Sequence, residues 1–175
     1  MKRIALTSLL VMFFMSFGFA QKYAYVDTDY ILERIQEYKN AQEQLNDISV
    51  EWQKEIEAKF NEIDQLYKKF QAESVLLPDD MKKQKEDEIM KKEKEAKDLQ
   101  KKRFGKDGDL FKKRQELVKP IQDKVYNAIE EVATKKSYSF VFDKAANVSI
   151  LYADPKLDIS DEILTKVGGL TKETK

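Results

Sequence analysis

The sequence predicts an α+β fold in which a long antiparallel helical hairpin, resembling a coiled coil, projects from a small β-sheet body. Three observations predict it: an apolar stripe of helical period without glycine or proline between Tyr38 and Leu77, a proline turn near 76–80, and strand-like segments near both ends. The chain then has three parts, namely a signal peptide at 1–20, a β-containing oligomerisation body from 21–37 and 120–175, and the hairpin at 38–119.

The outbound arm carries apolar residues at steps of three and four, which keeps them on one side of an α-helix. Nearly forty residues at ~1.5 Å each would extend about 55–60 Å. Pro78 disfavours helical geometry in Leu77 before it, so we expect this helix to end near Leu76. Asp79 or Asp80 is then expected to cap the return helix. The stripe consists of Leu45, Ile48, Trp52, Ile56, Phe60, Ile63, Leu66, Tyr67 and Phe70.

The two arms of the hairpin differ in charge. Residues 27–80 contain 6 Lys/Arg and 14 Asp/Glu, a net of −8, whereas residues 81–119 contain 15 Lys/Arg and 9 Asp/Glu, a net of +6. Opposite charge favours antiparallel pairing of the arms, although exposed ion pairs contribute only ~0.2–1 kcal/mol each. Burial of a large apolar side chain contributes ~1.5–3 kcal/mol, so we expect the apolar stripe to hold the arms together.

Two glycines interrupt the return arm at Gly105 and Gly108, and each costs a helix about 1 kcal/mol relative to alanine. We predict a hinge at this position. One interpretation places the glycines opposite Trp52, where they leave room for its indole ring, and the alternative is a solvated loop without a partner. Pro120 is predicted to kink the arm or to start a new helix, and it marks a further hinge where the hairpin joins the body.

The body is predicted from short segments that are rich in aromatic and β-branched residues. Strands are expected at 23–26, 138–142 and 148–152, and a last short helix follows Asp158. Because the hairpin goes out and returns, these strands meet at its base. Such a small sheet has exposed edges and little core, so we expect oligomerisation. The pattern of residues does not determine the number of chains.

The first twenty residues have the form of a secretory signal peptide. A positively charged start precedes an apolar run at 4–17, and small residues predict cleavage between Ala20 and Gln21. The apolar run is shorter than the ~20 residues that a membrane span needs, so export is favoured over membrane anchoring.

The sequence contains no pattern from which a catalytic, metal or cofactor site can be assembled. It has no His, which is the commonest general base and metal ligand, no Cys, and no Gly-rich phosphate loop. Without the signal peptide the chain carries 30 Lys/Arg and 32 Asp/Glu, which argues against a nucleic-acid binder. We therefore expect no enzyme and no cofactor, but a protein that acts by binding.

Several features follow one another in a characteristic order: the signal peptide, a strand with Tyr25-Val26-Asp27, the charged hairpin, the segment 138–143 and the late run 157–162. In this order the whole mature chain resembles the OmpH/Skp family of periplasmic chaperones. The resemblance implies a homotrimer whose hairpins surround a cavity and hold unfolded outer-membrane β-barrel proteins without ATP. The type member is strongly basic whereas this chain is near neutral, so no anionic-lipid contact is carried over. A peripheral contact with the membrane surface stays an open alternative.

Under this resemblance the end of the hairpin is the candidate client-binding site. Phe70, Leu76, Leu77 and Met81 are the candidate client-facing residues, with closure of the hairpin end as the alternative role of each. The alternative function is that of a structural or adaptor coiled-coil protein of the cell envelope. A stalk protein should have a sustained heptad and no polar distal arm, whereas 16 of the 22 residues at 82–103 are charged.

Overall fold

The structure, a computed structural model, describes residues 21–146 and 150–168. The predicted signal peptide, including Ala20, lies outside these ranges. None of the helices within them is both long and apolar enough to cross a membrane. In chain order the elements are β1 (Lys22–Val26), α1 (Thr28–Leu32), α2 (Gln36–Glu73), α3 (Asp79–Phe104), α4 (Asp109–Lys136), β2 (Tyr138–Asp143), a 3₁₀ turn (Pro155–Leu157) and α5 (Ser160–Lys166).

The two strands pair in parallel, and the helical hairpin is the connection between them. Pairing runs from Lys22 opposite Tyr138 to Val26 opposite Asp143, with one irregularity after Lys22. Parallel strands cannot be joined by a tight turn and need a crossover connection. Here the chain leaves the sheet along α2 and returns along α3 and α4. The outbound arm begins opposite the middle of α4, where Lys124 pairs with Glu37, and α4 continues beyond this point to reach the start of β2.

The predicted third strand at 148–152 is not found in the part of the chain that the structure describes. Residues 147–149 lie outside the described ranges, and residues 150–152 form no strand. Instead, Tyr25 forms an isolated bridge with Asp158, and the backbone N–H of Ile159 donates to the carbonyl oxygen of Tyr25 at 3.0 Å. The segment just before α5 thus gives β1 a contact in addition to β2.

The outbound helix α2 is continuous for 38 residues, which corresponds to about 57 Å at ~1.5 Å per residue. It ends at Glu73, three residues before the predicted end, and a turn follows in which the N–H of Leu76 donates to the carbonyl oxygen of Glu73 at 2.9 Å. The N-cap of α3 is Pro78, and no side chain caps this helix. The expected capping by Asp79 or Asp80 was therefore wrong. Both lie in the first turn, where negative charge interacts favourably with the helix dipole.

The return arm is interrupted between α3 and α4, as the two glycines predict. A Cβ on Gly105 would collide with the carbonyl oxygen of Lys101, and one on Gly108 would lie 2.7 Å from the carbonyl oxygen of Lys102. The nearest atoms to both positions belong to this segment itself and not to Trp52. The chain therefore needs the glycines for its own tight turn, and the interpretation that they also leave room for the indole stays a prediction.

The second predicted break is absent from the secondary structure, since α4 continues through Pro120. The prediction that a new helix starts there was wrong. Proline costs a helix interior about 3 kcal/mol or more, because it removes one backbone hydrogen bond and its ring crowds the preceding turn. Val118 and Ile121, on either side, are buried in the main core, and their burial offsets this cost. A hinge role for Pro120 stays a prediction.

The main core lies where the base of the hairpin meets the sheet and α5. Ile31 of α1 and both Ile163 and Leu164 of α5 have no exposed surface. Polar contacts surround this core, since the Tyr30 hydroxyl donates to Asp161 at 2.7 Å and helix α4 forms ion pairs with α5. The short last helix therefore closes the body against α1 and α4.

Removal of buried volume from α5 should destabilise the body. We expect Ile163→Ala to lower the free energy of unfolding by about 2–5 kcal/mol, because the residue is fully buried and would leave a cavity. Urea unfolding at one fixed protein concentration measures the change, since assembly alters apparent stability. Met90→Ala, at a residue of α3 that is 58% exposed, is the control and should change stability little. Equal losses in both variants would contradict this description of the core.

Candidate functional site

The far end of the hairpin exposes a group of apolar side chains, the tip surface, formed by Val75, Leu76, Leu77 and Met81. Val75 and Leu76 are 87% and 86% exposed, Met81 is 46% exposed, and Leu77 is half-buried. The turn between α2 and α3 holds them within seven residues of the chain. Grouped exposed apolar residues at the end of a charged hairpin are typical of an interaction site. This surface can bind apolar segments of another chain.

Phe70 lies apart from the other three predicted residues. It is half-buried and packs against a small apolar cluster of Ile63, Ile89 and Ala96 between α2 and α3. Its ring thus closes the seam of the hairpin, which is the alternative role considered from the sequence. The structure brings Leu76, Leu77 and Met81 together at the tip and leaves Phe70 within the seam.

Val75 belongs to the tip surface but was not among the candidate residues. The sequence does contain a signal for it, because 75–78 reads Val-Leu-Leu-Pro, an uninterrupted apolar run within a strongly charged hairpin. Helical spacing does not select Val75, because the residue lies outside the apolar stripe of the outbound arm. Exposure in the folded chain, and not periodicity, identifies it.

Charged side chains cover the seam between the arms. The Lys92 ammonium of α3 donates to the Glu62 carboxylate of α2 at 2.7 Å, and these side chains are 33% and 56% exposed. This hydrogen bond and the attraction between the charges lower the pKa of Glu62 and raise the pKa of Lys92. The pair thus keeps its charges over a wide pH range and holds the acidic arm in register with the basic arm.

One face of the sheet carries a second exposed group, the aromatic cluster of Tyr23, Phe140 and Phe142. The rings are stacked with centroids 6.0–6.5 Å apart, and the side chains are 41%, 56% and 46% exposed. A groove of about 600 Å³ adjoins the cluster and includes Leu151 and Tyr152, which are 99% and 83% exposed. Large exposed aromatic surface of this kind is typical of a protein–protein interface.

Neither surface has the composition of a reactive centre. Within the described ranges, no group of three or more His, Cys, Asp or Glu side chains is placed to hold a metal ion. Both surfaces consist mainly of aliphatic and aromatic side chains, which supply contact area for binding. The chemistry that they support is the non-covalent binding of apolar surface.

Comparison with known proteins identifies the family of this chain. The model of the OmpH-like outer membrane protein family matches residues 22–167, which include the hairpin and the described sheet. The chain belongs to this OmpH-like family. The family expected from the order of the sequence features is therefore confirmed, and the OmpH-like proteins are an outer membrane chaperone family.

Two known proteins are similar to this chain over most of its length. A protein from Aquifex aeolicus (strain VF5), described as uncharacterized, is 33% identical over 150 residues, which cover 86% of this chain and 88% of the relative. The crystal structure of a protein described as an OmpH-like outer membrane chaperone, from Caulobacter crescentus CB15, matches with a TM-score of 0.68 over 90% of both chains. Its sequence identity is 14%, so this likeness shows the fold alone. It confirms the predicted class of a long helical hairpin with a small sheet.

The Glu62–Lys92 pair should make the stability of the hairpin depend on pH. Because the pKa of Glu62 is lowered from its ordinary value of 4.5, the pair stabilises the folded chain above that pH and loses this contribution as the pH falls through the lowered pKa. We expect Glu62→Gln to melt at a lower temperature than the wild type near pH 7, and the difference to shrink toward about pH 3. Circular dichroism at 222 nm, roughly the wavelength of the helix minimum, follows the melting.

Glu57→Gln is the matched control, because Glu57 is also exposed on α2 and takes part in none of the ion pairs found among the described residues. Its melting temperature should differ little from the wild type at either pH. A deficit of Glu62→Gln that stays constant across this pH range would contradict a stabilising role of the charged pair.

Proposed function

We propose that this protein is an ATP-independent holdase chaperone of the periplasm, which binds unfolded outer-membrane β-barrel proteins between its helical arms and prevents their aggregation. The observation that carries the proposal is the tip surface. Val75 and Leu76 are almost fully exposed at the end of a hairpin whose outbound helix is about 57 Å long. Membership of the OmpH-like family supports the same function.

The proposed mechanism follows from the chemistry of the client. An unfolded β-barrel strand carries apolar side chains on alternate positions, which face lipid in the folded barrel. The tip surfaces provide apolar contact for these side chains, while the charged outer faces of the arms stay hydrated. Each contact is weak, and several arms acting together raise the overall affinity through their effective concentration. Such a complex can release its client without nucleotide hydrolysis, because each contact is weak enough to dissociate spontaneously.

Assembly as a homotrimer belongs to this proposal. A lone two-stranded sheet is marginal in water, and the aromatic cluster with its adjoining groove leaves apolar surface uncovered in one chain. We infer that this surface packs against further copies of the same chain. Three hairpins projecting from one assembled body would enclose a cavity, and their tips would line its open end. Export through the predicted signal peptide, with cleavage between Ala20 and Gln21, would deliver the chain to the periplasm.

Client protection is the direct test of this function. A urea-denatured outer-membrane β-barrel protein is diluted without ATP, and light scattering is followed with and without the mature protein. We expect suppression of scattering near three chains per client, and we expect the double variant Val75→Ser, Leu76→Ser to be a weaker suppressor because it loses the most exposed apolar contacts. Unchanged scattering with a stably assembled wild-type protein would contradict the holdase proposal and favour a structural or adaptor role.

Val50→Ser is the matched control for the tip variant. Val50 is an exposed apolar residue of the same helix α2, 39% exposed, and it lies far along the helix from the turn. This control should protect the client as well as the wild type does. Equal loss in both variants would contradict a specific role of the tip and would indicate a general effect of arm hydrophobicity.

Assembly is tested separately from client binding. Phe140→Ser removes the most exposed ring of the aromatic cluster, so we expect sedimentation velocity to show dissociation into smaller species at concentrations where the wild type is a trimer. Tyr67→Ser, which removes a ring of 49% exposure from the distal arm, should leave assembly unchanged. A Phe140→Ser protein with the wild-type sedimentation coefficient would contradict the proposed interface.

A further inference from the structure

The apolar core of the hairpin is divided into two parts. The main core extends from the body up the hairpin as far as Leu45 of α2 and Leu110 of α4. The second cluster, formed by Ile63, Ile89 and Ala96, lies farther out between α2 and α3. The described residues thus place two packed units on one continuous helix, α2. Ile56 is the one buried residue of α2 in the gap between them, and the break between α3 and α4 lies beside this gap.

A single arginine connects the helices at this gap. Arg103, in the last turn of α3, donates from one terminal nitrogen to Asp109 at 2.8 Å and from the other to Glu55 at 3.4 Å. Asp109 is the first residue of α4, and Glu55 belongs to α2. One guanidinium therefore joins the helix before the break, the helix after the break and the outbound helix.

Aromatic rings complete this junction. The guanidinium carbon of Arg103 lies 4.5 Å from the centre of the Trp52 ring, and Trp52 meets Phe104 edge to face at 6.3 Å. The side chains of Arg103 and Asp109 are each only 24% exposed, so water screens their ion pair less than it screens the other pairs on the arms. The junction is the most shielded polar contact between the arms among the described residues, and it lies at the break in the backbone.

The backbone at the break is held by few bonds of its own. The N–H of Gly105 donates to Lys101 at 2.8 Å as the last helical bond of α3, and the N–H of Lys112 donates to Gly108 at 3.1 Å as α4 begins. Between them, the N–H of Gly108 donates to Gly105 at 2.9 Å. Both glycines have extended backbone angles that many conformations of a short linker can reach. The relative angle of α3 and α4 therefore depends on the packing of both helices against α2 and on the side chains that span the break.

We infer that Arg103 is a latch that holds the distal arm at a set angle to the body, and that its release lets the arm pivot as the Gly105–Gly108 segment opens and the continuous helix α2 bends beside it. Lysine could not substitute for it, because a single ammonium cannot bridge two carboxylates in a planar fork while stacking on an indole ring. Its position in the sequence agrees with this role, since Arg103 is the one arginine of α3, whose other basic residues are all lysines. The latch positions the arm and does not itself touch a client.

The consequence for client binding rests on the proposed function, whereas the latch itself does not. If the arms enclose clients, a latched junction sets the width of the cavity, and an open junction lets the tips move apart for a larger client. Exchange between two such states requires only that they differ by a few kcal/mol. Client size would then be accommodated at one junction, without unfolding of either packed unit.

The latch is tested by distance measurement in the absence of any client. The chain has no cysteine, so Lys94→Cys and Asn127→Cys, both at exposed positions, give a spin-label pair that spans the break. Labelled chains are diluted with unlabelled ones, so that each assembly carries one labelled pair. We expect Arg103→Met to broaden the distance distribution of this pair, while a pair at Gln71 and Lys94 within the distal arm keeps its width. Broadening of both pairs would indicate loss of the fold and would overturn the latch.

Lys92→Met is the matched control for the variant. It removes another ion pair between the arms, to Glu62 at 2.7 Å, but this pair does not span the break. It should leave the distance across the junction unchanged. Arg103→Lys should give a distance distribution narrower than that of Arg103→Met but broader than that of the wild type. Lysine keeps the positive charge but lacks the planar guanidinium that binds two carboxylates. An unchanged distribution in Arg103→Met would overturn the proposal.

Hydrogen exchange gives a second readout if Arg103→Met folds poorly. Asp109→Asn keeps the contacts of Arg103 with Glu55 and Trp52 and weakens only the contact across the break. We expect the amides of Gly105 and Gly108 to exchange about tenfold faster in this variant, which is the effect of losing a charge-assisted hydrogen bond. The amides of Ile63 and Ile89 should exchange as fast as in the wild type. If the amides of Gly105 and Gly108 also exchange at the wild-type rate in Asp109→Asn, the latch is overturned. Client protection is then measured separately, so a failed holdase assay leaves the latch result intact.

Discussion

The helical hairpin projects from the body, and one narrow seam of buried side chains holds its two arms together. The position of the distal arms, and of the tip surface, depends on that seam. Few of the described residues are buried where α2 meets α3, namely Ile56, Ile63, Ile89 and Ala96. Helices in proteins gain most of their stability from the packing of an apolar face. Because this seam is narrow, good helix formers and local hydrogen bonds must supply much of the stability of the distal arms.

Charge acts on this seam as a selector. The acidic outbound arm and the basic return arm meet through a few cross-helix pairs, of which Lys92–Glu62 and Lys124–Glu37 are largely exposed. Exposed pairs of this kind contribute too little to hold two helices together, but they disfavour any pairing of two acidic arms. Arg103 differs, because its ion pair with Asp109 is better shielded and lies where the apolar core is interrupted. Polar contacts thus act together with the packing of Trp52 against Phe104 at the break in the return arm.

The molecule keeps its two exposed apolar surfaces apart. The aromatic cluster lies on the sheet at the base of the hairpin, and the tip surface lies beyond the far end of α2, which is about 57 Å long. In the proposed mechanism other copies of the chain cover the aromatic cluster, and the tip surface binds clients. Because the two surfaces lie far apart, assembly leaves the tip surface exposed. The arm between them does expose apolar residues, such as Val50, Phe60 and Met90, but these lie singly among charged side chains.

Helical period, proline and glycine act on the chain locally, so the sequence alone predicts the hairpin, its turn and the break at the two glycines. It also predicts most of the tip surface, since an apolar run in a charged hairpin has no core to enter. Contacts in the folded chain set the rest: β1 and β2 pair in parallel, Pro120 stays within a helix, and Phe70 closes the seam. The three contacts of Arg103 were likewise invisible in the sequence, because they join residues up to 51 positions apart, from Trp52 to Arg103. Such contacts depend on which helices meet, and that is a property of the folded chain.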